Sequence, residues 1–292
     1  MKIKRSPLDI SIDVLVYSFL AVIAFITIYP MIYVISMSLS GPHAVMRQEV
    51  WLYPVGFSIE AYRMIIYDRL FWTAYGNTLW YTGVGTLIQL LVTIPAAFVL
   101  ASNTFFARRF FMIMFTFTMF FSGTLIPVFI QVNRLGLYDT RWAIVLPVAV
   151  GTWNLIIART FFKTSIPSGI IDSARIDGAN DVIILIKIVL PVSKAIVAVL
   201  AIFYAVGHWN SWFTATLYLT RANMHPLQLY LRQLLLMATQ FFMDPDLSVY
   251  MLAVLQQIKY SSIVVATVPI LFVYPFFQKY FVQGVMLGSI KE

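Results

Sequence analysis

The chain has 292 residues, of which 61% are hydrophobic and only 11% are charged. Because an average soluble domain carries about 25% charged residues, this composition excludes an ordinary soluble protein and indicates a membrane protein. The net charge of +8 invites a nucleic-acid partner, but the placement of the basic residues mainly orients the apolar stretches, so we expect membrane lipid and no nucleic acid.

Six apolar stretches are long enough to cross a bilayer, which takes about 20 residues in a helix. They do not alternate in polarity as β-barrel strands do, so the sequence predicts an all-α, polytopic membrane protein with six transmembrane helices. The predicted spans are residues 14–38, 76–101, 110–131, 142–162, 195–217 and 260–281.

Both ends of the chain are predicted to lie in the cytoplasm. Basic residues precede the first span and lie between the second and third, as Arg108 and Arg109 do, which is the bias of the positive-inside rule. Residues 1–13 would then form a cytoplasmic N-terminal segment, residues 14–283 the transmembrane domain and residues 284–292 a cytoplasmic tail.

The first span is expected to be a retained anchor. Its apolar run is longer than that of a cleaved signal peptide, and no small-residue cleavage site follows it. Ser6 is expected to cap its helix, with Pro7 at the first helical position.

Three connecting segments are longer than a simple turn requires. Outer segment 41–75 is rich in Trp and Tyr, which favour the membrane interface. Outer segment 221–259 contains an amphipathic pattern from Leu227 that predicts a helix at the outer surface. Segment 164–194 joins spans four and five on the cytoplasmic side and holds a cluster of polar residues.

That polar cluster predicts two short helices with a sharp turn between them. Pro167 suits the first turn of a helix, Gly178 suits its left-handed end, and Asn180 or Asp181 can cap the next helix, which runs toward Pro191. The alternative is an ordinary solvated loop. If the cluster instead binds another protein, the residues expected at the contact are Asp172, Ser173, Ala174, Arg175, Ile176, Asp177, Gly178 and Ala179.

The order of these residues resembles the cytoplasmic coupling loop of binding-protein-dependent ABC importers. Asp172-Ser173-Ala174 stands where that family usually has Glu-Ala-Ala, Asp177-Gly178-Ala179 matches its central turn, and Ile188-Val-Leu-Pro191 matches its end. Leu185 stands where an aromatic residue is common. The shorter acid at Asp172 still allows pairing with a basic rim.

The similarity extends over essentially the whole chain. Trp209-Asn-Ser-Trp212, Tyr274-Pro275-Phe-Phe and Gly284-Val-Met-Leu-Gly288 resemble the carbohydrate-importer branch of these permeases. Within that branch, the chain is most similar to the second permease of bacterial systems for complex oligosaccharides, including alginate-type uptake systems.

The resemblance implies a type I ABC importer permease that moves a carbohydrate, with an oligosaccharide as the expected solute, across the bacterial cytoplasmic membrane. It implies a heterodimer with a second related permease, two copies of an ATPase subunit and an extracytoplasmic solute-binding protein on the outer segments. ATP and Mg would be bound by the ATPase subunits, with no cofactor and no enzyme site in this chain. The sequence accordingly carries no P-loop motif.

Polar residues inside predicted spans four and five are candidates for the solute path, since such residues are costly at membrane depth. Amide groups can bind sugar hydroxyls, and aromatic faces can stack on sugar rings. The alternative is hydrogen bonding between helices. The candidates are Trp153, Asn154, His208, Trp209 and Asn210.

A metal site is not expected. The chain has no cysteine, and no second ligand stands at helical spacing from His208.

Three other functions compete with the carbohydrate importer. An ABC importer of a non-sugar solute would share every feature of the loop. An ion-coupled secondary transporter would need an intramembrane charge, and spans two, three and five contain no acidic residue. A membrane enzyme would need a cluster of acids in a pocket, which the sequence does not indicate.

Overall fold

The computed structural model describes residues 7–121, 123–241 and 249–289, and within these ranges all regular structure is helical. Short 3₁₀ turns occupy Leu146–Val148 and Ala222–Met224, and a π-turn occupies Leu185–Val189. The α-helices are α1 Pro7–Ser38, α2 Pro42–Met46, α3 Glu60–Tyr67, α4 Arg69–Ala101, α5 Arg108–Phe120, α6 Leu125–Arg134, α7 Trp142–Val145, α8 Thr152–Ser165, α9 Ser168–Ile176, α10 Asp181–Ile184, α11 Leu190–Val192, α12 Lys194–Trp209, α13 Trp212–Tyr218, α14 Leu227–Phe241 and α15 Val249–Ser289.

Three of these helices are long and apolar enough to cross a membrane without interruption, at residues 11–38 in α1, 69–101 in α4 and 250–272 in α15. Three bent helix pairs raise the number of candidate spans to as many as six in the described residues. The predicted all-α fold is confirmed.

The helix boundaries differ from the predicted spans at several positions. Helix α4 begins at Arg69, before predicted span two. Predicted span three is divided between α5 and α6, and predicted span four is divided between α7 and α8. Helix α1 already begins at Pro7, while its predicted cap Ser6 lies outside the described residues. Predicted span five is interrupted, because α12 ends at Trp209 and α13 begins at Trp212. Helix α15 is continuous from residue 249 to residue 289, so it begins before predicted span six and continues beyond the end of that span at residue 281.

Prolines and glycines account for the bends. A chain of short helices ending at Pro191-Val192 meets α12 at 87°, and α7 with its 3₁₀ turn meets α8 at 48°. Pro191 and Pro147 cannot donate an amide hydrogen bond, and Gly151 precedes α8. These residues interrupt the backbone hydrogen bonds of the helix, so the polypeptide can change direction there.

The chain divides into two compact units. The first comprises residues 1–68 and 233–268. Its buried Gln257 side chain donates through Nε2 to the carbonyl oxygens of Ser38 and Ser58, at 3.1 Å each. The Tyr62 hydroxyl donates to Ser38 Oγ at 2.8 Å. Because these donors lie among apolar side chains, the bonds fix the end of α1 against α15.

The second unit comprises residues 69–232 and 269–292, and its described core is built on α4, α8 and α12. Ala97 and Ala158 are fully buried and let the helices approach closely, while Leu155 and Leu200 fill the space between them. This packed group, which we call the central cluster, extends from Ile94 to Tyr204 and includes Ala174 and Ile184.

A polar junction in this second unit joins the loop after α6 to the end of α13. Asp139 adopts a positive φ of 54°, and its amide donates to the Tyr218 carbonyl at 2.9 Å. Its carboxylate accepts the Thr220 amide at 3.0 Å and pairs with Arg221 Nε at 2.8 Å. The hydrogen bond from the Thr220 amide, supported by Arg221, holds the pKa of Asp139 below its usual value.

This junction is expected to weaken in acid. Because the pKa of Asp139 is lowered in the folded chain, its stabilising contribution is complete above the usual value of 3.8 and is lost as the pH falls through the folded value. Hydrogen exchange of the Thr220 amide, corrected for the intrinsic rate at each pH, should show protection near pH 7 that decreases toward pH 3.

Asp139→Asn provides the control, because asparagine tolerates the positive φ but carries no charge. We expect its Thr220 amide to be less protected near pH 7, with little change in acid. Equal protection of the unsubstituted chain at both pH values would contradict this assignment.

Candidate functional site

The polar loop between α8 and α12 has the predicted two-helix form. Helix α9 begins at Ser168, directly after Pro167, and ends at Ile176. Gly178 has a φ of +81°, and its amide donates to the Arg175 carbonyl at 3.0 Å. A side chain is strained in this left-handed conformation, so the predicted role of Gly178 as a helix end is confirmed.

The second half of the loop is fixed by a cap and an ion pair. Asn180 Oδ1 accepts the Ile183 amide at 2.9 Å, so Asn180 rather than Asp181 caps α10. Asp181 instead pairs with Arg175 across the turn at 3.0 Å. Arg175 is thereby held within the loop, and its role as a docking residue stays a prediction.

The loop has one side in the core and one side exposed. Ala174 is 8% exposed and Ile184 is fully buried, and both belong to the central cluster. Asp172, Ser173 and Asp177 are exposed. Apolar side chains are exposed beside them, with Ile176 at 87%. Mixed acidic and apolar exposure on a rigid, anchored loop is suited to contact with another protein surface.

A cavity of about 540 Å³, lined by both polar and apolar residues, lies among α4, α8, α12 and the ends of α7 and α13. Asn154, His208 and Asn210 line it, so three of the five predicted path residues share one space. Gln89 and Tyr204 line it as well.

The other two predicted path residues lie elsewhere. Trp153 is 62% exposed and does not line this cavity. Trp209 is buried, and its ring meets Tyr75 edge-on with the centroids 6.2 Å apart. The structure therefore places Trp209 in helix packing, at a contact of the kind that stabilises aromatic pairs.

The position of His208 depends on two residues of α4, Gln89 and Gly85, which are not among the predicted path residues. Gln89 Oε1 lies 3.0 Å from His208 Nε2, and Gln89 Nε2 donates to the Val148 carbonyl at 2.7 Å. A Cβ on Gly85 would lie 2.3 Å from His208 Nε2, so only glycine admits the ring here. Gln89 was detectable as an amide in the middle of an apolar span. Gly85 carried no comparable signal.

A second polar pair, Thr93 and Tyr204, lies at the wall of the cavity. Thr93 Oγ1 and the Tyr204 hydroxyl lie 2.8 Å apart, and the Asn154 side chain also hydrogen-bonds to Tyr204. These bonds orient the wall of the cavity.

The chemistry of the cavity is that of neutral hydrogen bonding. Its lining contains amides, hydroxyls, an imidazole and the rings of Phe203 and Phe213, and none of the lining residues is acidic or basic by lysine or arginine. Within the described residues, no group of three His, Asp or Glu side chains is placed to hold a metal ion. Such a lining can accept and donate to hydroxyl groups and can contact apolar ring faces.

Apolar spanning helices, a neutral polar cavity and an anchored polar loop define a polytopic membrane permease. No family model matches the sequence. The polygalacturonan/rhamnogalacturonan transport system permease protein YtcP of Bacillus subtilis is 39% identical over 280 residues, covering 96% of this chain and 98% of that protein. Protein LplC of the same organism is 37% identical over 279 residues, covering 96% and 94%.

A solved structure agrees with these relatives. A chain in the crystal structure of a bacterial ABC transporter involved in importing the acidic polysaccharide alginate matches with a TM-score of 0.85 and 32% identity. The match covers 96% of this chain and 100% of that one. The chain therefore belongs to the permease subunits of carbohydrate ABC importers, as the resemblance of the polar loop and of the later segments predicted.

Proposed function

We propose that this chain is one transmembrane subunit of an ATP-driven importer that moves an oligosaccharide across the bacterial cytoplasmic membrane. A second related permease completes the path, two ATPase copies bind on the cytoplasmic side, and a solute-binding protein docks on the outer segments. ATP and Mg are bound by the ATPase subunits, and this chain has no enzyme activity of its own. Both termini face the cytoplasm.

The observation that carries the proposal is the anchoring of the polar loop. Ala174 and Ile184 hold it in the central cluster, while Asp172, Ile176 and Asp177 remain exposed. An ATPase that closes on this surface would push against a loop with little freedom to bend, because packed interiors deform little. The push would therefore reach α8 and α12, and alternating access would follow as a largely rigid movement.

A sugar is the solute that best fits the cavity. The amides of Gln89 and Asn154 and the imidazole of His208 offer hydrogen bonds to hydroxyls, and the rings of Phe203 and Phe213 offer faces for sugar CH groups. Relatives named for polygalacturonan transport and for alginate import support an oligosaccharide, with alginate-type solutes included.

Site-specific cross-linking tests the assembly directly. The natural chain has no cysteine, so Asp177→Cys introduces a single reactive thiol at the exposed end of α9. In native membranes, a bifunctional thiol–amine reagent should join this position to an ATPase subunit. Arg134→Cys is the control, since it places the thiol on the opposite side of the membrane in the proposed topology and should give no ATPase product.

Purification of the unsubstituted chain from the same membranes should recover the ATPase, a second permease and a binding protein. Uptake driven by an ion gradient without ATP would overturn the importer assignment. If the complex took up another solute in an ATP-dependent manner but did not take up sugars, the importer assignment would stand and the proposed solute would be wrong.

A further inference from the structure

One face of α14 covers the break between α12 and α13, where the polar cavity begins. Gln228 and Arg232 are four residues apart in α14 and therefore lie on the same face. Gln228 Nε2 lies 3.5 Å from Asn210 Oδ1, and the Arg232 guanidinium lies 3.7 Å from the centre of the Trp212 ring. Asn210 lines the cavity, as do the two chain neighbours of Trp212, Ser211 and Phe213. Arg232 therefore contacts a residue that lies directly beside the cavity lining.

Arg232 is an exposed cation stacked on an aromatic ring. Among the described residues, the structure gives its guanidinium a contact with Trp212 and no ion pair. Asp139, which belongs to the same compact unit, is already held by Arg221 at 2.8 Å. A positive charge therefore lies beside a cavity whose own lining is neutral.

Stacking on Trp212 would leave the N–H groups at the edge of the Arg232 guanidinium available to a ligand. Its central carbon lies 3.7 Å from the centre of the indole, a distance at which a guanidinium that stacks on an aromatic ring keeps its N–H edges free of the ring. These edges form a planar fork that matches the two oxygens of a carboxylate. The indole restrains the fork, which lowers the entropy lost when a ligand binds.

We propose that Arg232, oriented by Trp212, binds the carboxylate of a uronic acid unit at the entrance of the path, while Asn210 and Gln228 bind its hydroxyl groups. This inference rests on the proposed importer function and narrows its solute to carboxylated oligosaccharides. The neutral cavity behind Arg232 receives the sugar rings, and the cation selects for the charged group.

Uptake by the complete complex, with its own binding protein and ATPase in proteoliposomes, tests the inference. The probes are oligosaccharides from polygalacturonate and alginate digests and the same oligosaccharides after chemical reduction of their carboxyl groups. For Arg232→Gln, the ratio of charged to neutral uptake should fall about tenfold or more, the usual effect of losing a charge-assisted hydrogen bond. The contribution of the binding protein cancels when this ratio is compared between variants.

Two further variants control for charge and for geometry. Arg134→Gln removes an exposed arginine of α6 and should leave the ratio unchanged. Arg232→Lys keeps the charge but not the fork and should give an intermediate ratio.

The outcomes separate the inference from the function on which it rests. If Arg232→Gln left the ratio of charged to neutral uptake unchanged, whether or not both uptakes fell, the uronate subsite would be overturned. ATP-driven uptake of only the reduced oligosaccharides by the unsubstituted complex would also overturn it, while the importer function would stand. Absence of ATP-driven uptake for every oligosaccharide would refute the proposed function itself.

Discussion

Replacing Gly178 with proline is expected to abolish ATPase association and to reduce transport by more than tenfold, while the chain still inserts into the membrane. Gly178 has a φ of +81°, whereas proline is restricted to a φ near −65°. Proline also lacks the amide that donates to the Arg175 carbonyl at 3.0 Å. The turn that joins the end of α9 to the Asn180 cap of α10 would therefore be lost. Co-purification of the ATPase and proteoliposome uptake measure the effect.

Gly136 offers a matched control for this substitution. It also has a positive φ, +69°, and its amide donates to the Asn133 carbonyl at 2.9 Å. The backbone cost of Gly136→Pro should therefore be similar, but this turn lies outside the polar loop. ATPase association should survive in Gly136→Pro. Transport that persists in Gly178→Pro would exclude the loop as the coupling element.

Gly85→Ala is expected to destabilise the helical core by about 1–3 kcal/mol, the usual range for overpacking a well-packed site. The added Cβ would lie 2.3–2.6 Å from three atoms of the His208 ring. The ring is 4% exposed and bonds to Gln89 at 3.0 Å, so it cannot move without losing that contact. Thermal unfolding in detergent should show a lowered Tm, and the disturbed cavity should reduce uptake.

Gly83→Ala separates this clash from the general effect of an alanine in α4. A Cβ on Gly83 meets nothing within 4 Å, and alanine favours a helix by about 1 kcal/mol over glycine, so Tm should stay constant or rise. Adding His208→Ala to Gly85→Ala should restore part of the lost stability, because it removes the group that clashes. A double variant no more stable than Gly85→Ala would show that the ring is not the cause.

The fold was largely predictable because apolar stretches of spanning length leave few alternatives in a bilayer. The polar loop was predictable for a different reason. Pro167, Gly178 and Asn180 each have a local conformational preference that acts whatever surrounds them. Their roles could therefore be read without knowledge of the packing.

The cavity was only partly predictable, since its shape depends on contacts between helices distant in sequence. Asn154, His208 and Asn210 were found because a polar residue within an apolar span is conspicuous. Trp209 has the same sequence signal as its neighbours, yet it turns toward Tyr75. Gly85 is selected by the ring of His208, which lies more than a hundred positions further along the chain.

The central cluster has a mechanical consequence. Ala174 and Ile184 of the polar loop and Tyr204 of the cavity wall belong to the same packed group, with Leu155 and Leu200 between the helices. The surface proposed to receive force and the wall proposed to contact solute are thus two ends of a single stiff body. A packing defect in the middle of this body would let the ATPase subunits hydrolyse ATP without transport of the solute, even with the loop surface and the cavity wall intact. The number of solute molecules moved per ATP hydrolysed would then depend on residues such as Leu155 and Leu200, which belong neither to the proposed ATPase contact nor to the cavity lining.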